Sequence, residues 1–231
     1  MFCHIHTHSV NSIRDGMIKI PELVKRSIEF NEAFALTDHG NIAGWIEYSD
    51  VAKKNNVKAI FGLEVYINQY REELLRLVRE INSKGEEDKD KVKQMGIRRD
   101  ELKKQQRHLV LIAKNETGFY NIIKLINEAY VDFFYSKPLA DYKSLFSMNK
   151  DKDGSYGVIV TTACLASPLN SFLEVNHKQE AIDWIKTMKE HFGDDFYLEV
   201  QANNIPEQVG LNKFIIQLAK ETKTKIVIGS D

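Results

Sequence analysis

Residues 58–67 read KAIFGLEVYI, a nearly continuous apolar run with one acid, Glu64, late in it. A strand with one wet face alternates apolar and polar residues, whereas a parallel strand covered by helices does not. The run therefore predicts a buried parallel strand. Comparable runs lie at 2–8 (FCHIHTH), 33–39 (AFALTDH), 108–114 (HLVLIAK), 157–165 (GVIVTTACL), 196–201 (FYLEVQ) and 225–231 (KIVIGSD). Helical patterns fill the gaps at about 20–31, 42–55, 116–130, 178–192 and 207–223. Pro21 and Pro206 stand in plausible first helical turns, where a missing N–H costs nothing. Seven strands alternating with helices favour a (β/α) barrel over an open sheet.

One segment breaks the rhythm. Residues 71–107 are dense in charges of both signs, and Leu74, Leu75, Val78 and Ile81 form a helical stripe that SKGEEDKD interrupts. The segment reads as a helical insertion between the third and fourth strands, more simply a solvated helix pair than a DNA-binding arm. Residues 134–157 form the longest other connection, expected either to order over the barrel mouth or to stay mobile.

The composition, 43% hydrophobic and 28% charged, is that of an ordinary globular domain. No apolar run approaches the roughly 20 residues that span a bilayer, and no signal pattern precedes His4, so a cytoplasmic location with no membrane partner is expected. A net charge of −1 gives no global basic field for nucleic acid, though a local patch could still bind it. Two cysteines, Cys3 and Cys164, make no disulfide framework.

The polar residues on the strands are more telling. His6 and His8 end the first run, Asp38 and His39 the second, and Asp231 the last. Glu64 and Cys164 lie late in theirs, and His108, which begins the fourth run, is the exception. In a parallel barrel the carboxyl-terminal strand ends converge on one face. Histidines, carboxylates and a thiol gathered there form a metal site by residue type. Within HIHTHS, alternate residues point the same way at roughly 6.5–7 Å spacing, so two imidazoles can share one ion and three cannot. His6 and His8 are the preferred pair, and His4 is left to strand packing or hydrogen bonding. Asp15, in SIRDGM, reads equally as a turn residue or a ligand. His39 is preferred over its neighbour Asp38, which would orient the site. His177 and His191 read as surface residues, and Cys3 as packed. Phe119, Tyr120, Tyr130, Phe133, Phe134 and Tyr135 could stack on bases, but their helical spacing favours core packing or lid anchoring.

HIHTHSVNSIRDGM, ALTDHGNIAGWIEYSDVAKKNNVKAIFGLEVYI, HLVLIAKNETGFYNIIKLINEAY and IVIGSD resemble, in order, the polymerase-and-histidinol-phosphatase (PHP) domain of bacterial replicative DNA polymerase III alpha subunits. The resemblance implies a distorted (β/α)7 TIM-like barrel holding a cluster of up to three divalent ions, zinc by preference, with manganese or magnesium possible. It implies as ligands His6, His8, Asp15, His39, Glu64, His108, Cys164 and Asp231, with His6, His8, Glu64 and Asp231 catalytic through bound metal. By that analogy His6, His8, Glu64 and Asp231 surround one ion, Glu64 bridges to a second held with His108 and Cys164, and Asp15 and His39 serve a third. The family pattern continues to a histidine two residues beyond the position of Asp231, where this sequence stops. Residues 1–231 are therefore expected to be one PHP domain, incomplete at its carboxyl end and lacking the polymerase site.

The implied activity is 3′–5′ exonucleolytic proofreading on DNA 3′ ends. Its implied partners are the remainder of the polymerase alpha chain, or a separate chain carrying it, and other replisome subunits. Two rivals stand beside it: a catalytically silent domain in which metal is a structural staple, and a free-standing phosphatase of histidinol-phosphatase type.

Overall fold

The computed structural model describes residues 2–13, 15–84 and 89–229. In chain order these form β1 (Cys3–His4), α1 (Ile20–Phe30), β2 (Ala33–Leu36), α2 (Trp45–Lys54), β3 (Ile60–Ile67), α3 (Arg71–Lys84), α4 (Lys89–Lys103), β4 (Arg107–Ala113) and α5 (Glu116–Val131). They continue as β5 (Phe134–Tyr135), β6 (Lys137–Ala140), α6 (Tyr142–Phe146), β7 (Val158–Thr161), α7 (Pro168–Glu174), α8 (Lys178–Phe192), β8 (Phe196–Gln201), α9 (Pro206–Thr222) and β9 (Ile226–Gly229). Pro21 and Pro206 both fall within the first helical turns, of α1 and α9.

The main sheet runs β1-β2-β3-β4-β7-β8-β9, so the seven runs legible in the sequence are its strands, in chain order. It curls into a nearly closed, distorted α/β barrel. β1–β2, β2–β3, β7–β8 and β8–β9 are parallel, but β4 is antiparallel to both β3 and β7. The expectation of uniformly parallel strands fails there for a reason of connection. A single crossover helix carries the chain back to the start of a sheet and delivers a parallel strand. Between β3 and β4 the chain instead makes two helices, α3 and α4, which pack on each other and return it to the end it left. The break foreseen at SKGEEDKD includes residues 85–88, which lie outside the described residues.

Side-chain alternation divides the interior in two. Leu63, Val65 and Ile67 of β3, with Leu109 and Leu111 of β4, face outward and pack under the helices with Trp45, Ile122 and Leu125. Each is almost fully buried, worth about 1.5–3 kcal/mol of hydrophobic stabilisation. Facing inward, Ala35, Val110, Ile112 and Ala163 form a small apolar floor. The inward positions above it are polar.

The 134–157 connection is ordered. β5 and β6 make a short hairpin, and β6 adds parallel to β3 at Tyr66 and Ile67, beyond the end of β2. Buried Arg71 fastens it: Nε lies 2.9 Å from Asp141, Nη2 donates to Glu128 at 2.6 Å, and Nη1 donates to the Leu139 carbonyl at 3.1 Å. Its guanidinium also covers the Phe133 ring at 3.6 Å. Of the aromatic residues read as core or lid, Phe119 joins Trp45 and Phe61 inside, whereas Tyr130 and Phe134 stay half exposed. Among the described residues no helix is long and apolar enough to cross a membrane.

Gly40, of the TDHG segment, has φ +58°, and its N–H donates to the Glu64 carbonyl at 2.8 Å. A Cβ there would meet Tyr66 Cε2 at 2.5 Å. Tyr66 is held between His39 and His108 and cannot swing freely away. Gly40→Ala is therefore expected to cost about 2–3 kcal/mol, read as a lower denaturant midpoint with unchanged slope.

Candidate metal centre

β1 ends at His4, so HIHTH is not one strand. His4 leans away from the barrel interior, 2.9 Å from Glu32 and stacked on Phe34. Beyond it the chain is pinned by Thr7, whose N–H donates to Thr37 Oγ1 at 2.8 Å while its carbonyl accepts from Thr37 N–H at 2.9 Å. His6 and His8 are thereby turned into the barrel mouth with ring centroids 5.0 Å apart.

Asp38 shapes the next turn. Its carboxylate, buried after β2 has ended, accepts from Ser9 N–H at 2.7 Å, from Ser9 Oγ at 2.8 Å and from Ser12 Oγ at 2.8 Å. It orients the loop, while its neighbour His39 points at Glu64. Asp15 emerges from the same turn and reaches His39 Nε2 at 2.8 Å, so the aspartate read as either turn or ligand is in contact with the cluster.

Glu64, fully buried in β3, is the hub. Its Oε2 faces His6 Nε2 at 3.5 Å, His8 Nε2 at 3.2 Å and His39 Nδ1 at closer range, and its Oε1 faces His108 Nδ1 at 2.7 Å. Cys164 Sγ lies 3.7 Å from that same Oε1 and 4.0 Å from His108 Nδ1. His108, the exception among strand ends, joins because β4 is reversed: Tyr66 pairs with His108, which brings the start of β4 level with the far end of β3. Glu64 thus belongs to two donor groups, His6–His8–Glu64 and His39–Glu64–His108. His39 also meets Asp15, the residue with which the resemblance groups it. Asp231 lies outside the described residues.

The hydrogen bonds fix which nitrogens face inward. Glu199 can only accept, so His6 donates Nδ1–H to it at 2.8 Å and turns Nε2 toward Glu64. Ser12 gives its one hydroxyl proton to Asp38, so it accepts from His8 Nδ1–H at 3.2 Å, and again Nε2 faces Glu64. Asp15 takes Nε2–H of His39, leaving Nδ1 inward. Three imidazoles therefore commit their outer N–H to acceptors and turn the other ring nitrogen toward one carboxylate. Lone pairs facing a carboxylate repel unless a cation or a proton lies between them, and outer-shell acceptors of this kind typify metal-ligating histidines. The donor set fits divalent metal.

Two titrations follow from the geometry. Burial alone would lower the pKa of His6, but the charge of Glu199, with hydrogen bonds to Glu199 and Glu64, holds it well above the usual imidazole value. Burial would raise Glu64, yet hydrogen bonds from His108, His39, His6 and His8 hold it well below the usual carboxylate range.

Glu199 was not foreseen. It sits in FYLEVQ of β8, fully buried, and also accepts from Thr161 Oγ1 and from Gln201 Nε2 at 3.3 Å. A weak signal was present: Leu-Glu-Val stands at 63–65, 173–175 and 198–200, and at the first and last of these the acid lies among apolar strand residues, whereas Glu174 ends α7. His177 is exposed as expected, but His191 is half buried, stacked on Phe146 at 3.6 Å, because the last turn of α8 lies against α6.

Fold and donors together define a (β/α)-barrel protein with a histidine–carboxylate cluster of metal-binding type at its mouth. The chain belongs to the PHP domain family, whose sequence profile matches residues 4–203. Along its whole length it is 36% identical to the DNA polymerase III subunit alpha of Aquifex aeolicus and 31% to that of Borreliella burgdorferi. It spans 18% of the length of each of these relatives. A solved amidohydrolase from Chromobacterium violaceum with bound sulfate shares the fold at 12% identity, with a TM-score of 0.51 over 99% of this chain and 86% of that one.

Proposed function

We propose that this chain is a metal-dependent phosphoesterase that removes nucleotides from DNA 3′ ends, acting as the PHP part of a cytoplasmic replicative polymerase. In this reading residues 1–231 work as one domain with the α3–α4 pair inserted. The observation that supports it most is the buried Glu64 carboxylate, faced on both oxygens by four imidazoles from three separate strand ends. The similarity to polymerase alpha subunits supports DNA as the substrate.

His6, His8, Asp15, His39, Glu64, His108, Cys164 and Asp231 would hold the ions; imidazole and thiol donors favour zinc, and the carboxylates admit manganese or magnesium. Bound divalent metal would supply a water acidic enough to attack at neutral pH and would offset phosphoryl charge. The chain's own contribution is orientation. Glu199, Ser12 and Asp15 fix three imidazole rings, and Asp38 fixes the turn that carries Ser12 and Asp15.

The test uses a 5′-labelled primer strand and the metal-loaded chain. Stepwise shortening from the 3′ end is expected, falling at least about a hundredfold in His8→Ala and persisting in His4→Ala. Tightly held metal that raises the melting temperature without any cleavage would instead make the site a structural staple. Hydrolysis of a small phosphomonoester, with primer ends untouched, would make the chain a phosphatase.

A further inference from the structure

A cleft of about 500 Å³ opens beside the cluster, with His39, His108 and Tyr66 among its inner residues and Tyr130, Phe134 and Lys137 along one wall. The wall is the β5–β6 hairpin together with the last turn of α5. Tyr130 and Phe134 are 46% and 50% exposed, yet their rings lie face to face, 5.8 Å apart and 18° from parallel. Both stand on ordered elements: Tyr130 on α5, and Phe134 on a strand paired across to Pro138. Two parallel rings held half in water at the lip of this cleft contribute little to the core. They do present a preformed flat surface. In the same cleft the Lys137 ammonium sits 4.1 Å from the centre of the Tyr66 ring, which itself stacks against His39.

One cleft thus brings together metal-type donors, a cation beside them and stacked aromatics. That set matches one nucleotide end: scissile phosphate, neighbouring backbone charge, base. We propose that Tyr130 and Phe134 form a stacking platform for the terminal nucleobase of a single-stranded DNA 3′ end, with Lys137 facing the backbone phosphate. The inference rests on the phosphoesterase reading given above and adds a preference to it. A base can reach the platform only when it is unstacked from its neighbour and unpaired from a template. Frayed or mispaired ends are thus favoured over paired ones. Because every base offers a π-face, the platform does not distinguish sequence.

Fluorescence anisotropy with the full chain tests this, using a 5′-fluorescein oligothymidylate whose terminal linkages are phosphorothioates so that it survives binding. The same strand ending in an abasic nucleotide is expected to bind about tenfold more weakly, the worth of one base on an aromatic ring. The four terminal bases should bind within about threefold of one another. Tyr130→Ala with Phe134→Ala should erase the abasic difference, and Phe134→Tyr, which keeps a ring, should preserve it. Both rings are half exposed, so the native fold does not depend on them. A ratio near one in the native chain, or one unchanged by the double substitution, removes the platform. If primer ends are still cut in that case, the phosphoesterase reading stands without it; if no strand is bound or cut, both fall.

Discussion

Glu64→Gln is expected to strip the chain of divalent metal and to reduce phosphoester cleavage by at least about a thousandfold. The carboxylate is the one group shared by both donor sets, and it is fully buried. A neutral amide replaces one acceptor oxygen with a donor and removes the charge that faces four imidazoles. Removing one partner of a buried charged cluster costs about 3 kcal/mol or more, roughly 6–12 °C in melting temperature for a domain of this size. That loss should show in calorimetry with chelator present. The sign of its pH dependence is fixed. Because the Glu64 carboxyl is held well below its ordinary value, its stabilisation is present above the unfolded carboxylate pKa and is lost as pH falls through the folded one. The gap between native chain and variant should therefore be widest near neutrality and close in acid. Unchanged metal content in Glu64→Gln would sink the bridging role.

The second large effect is expected at Glu199, which touches no donor group except through His6. In the metal-free chain the Glu199 charge holds the pKa of His6 well above the usual imidazole value, so the ring keeps its proton to higher pH. Its pairing with Glu199 stabilises the fold fully below the unfolded imidazole pKa and ceases to do so as pH rises through the folded value. Metal takes the neutral ring, so loading must expel that proton. Titrating zinc into metal-free chain in buffers of different ionisation enthalpy should thus reveal more proton release from the native chain than from Glu199→Gln. The variant should also hold metal about 10–100-fold more weakly, since its ring is no longer oriented by a carboxylate. Gly229→Ala offers the same perturbation by crowding, because a Cβ there would lie 1.9 Å from Glu199 Oε1. Equal proton release in native chain and Glu199→Gln would show that Glu199 does not set the charge of His6.

The strands were legible because burial on both faces writes an apolar run directly into the sequence, as KAIFGLEVYI shows. The direction of β4 was not legible, since direction depends on where the connection returns the chain. His108 marked the problem in advance: a ligand type at the wrong end of a strand is what a reversed strand produces. Strand geometry separated His4 from His6 and His8, although β1 stops at His4 and the separation arises from the Thr7–Thr37 clamp. Ser12 and Glu199 escaped notice because hydroxyls and single acids are common, and their meaning here comes from partners far along the chain. Asp38 and His39 could be ranked as orienter and donor, but the carboxylate's grip on Ser9 and Ser12 is a tertiary fact that no local pattern records.

The contact between His6 and Glu199 joins positions 193 residues apart. Loop-closure entropy makes such a contact among the last to form, and on a growing chain it must await the emergence of β8. Until then His6 lacks the acceptor that turns its Nε2 inward, and the first donor set has no fixed geometry. A metal ion held by that donor set would therefore report a barrel in which β8 has already taken its place.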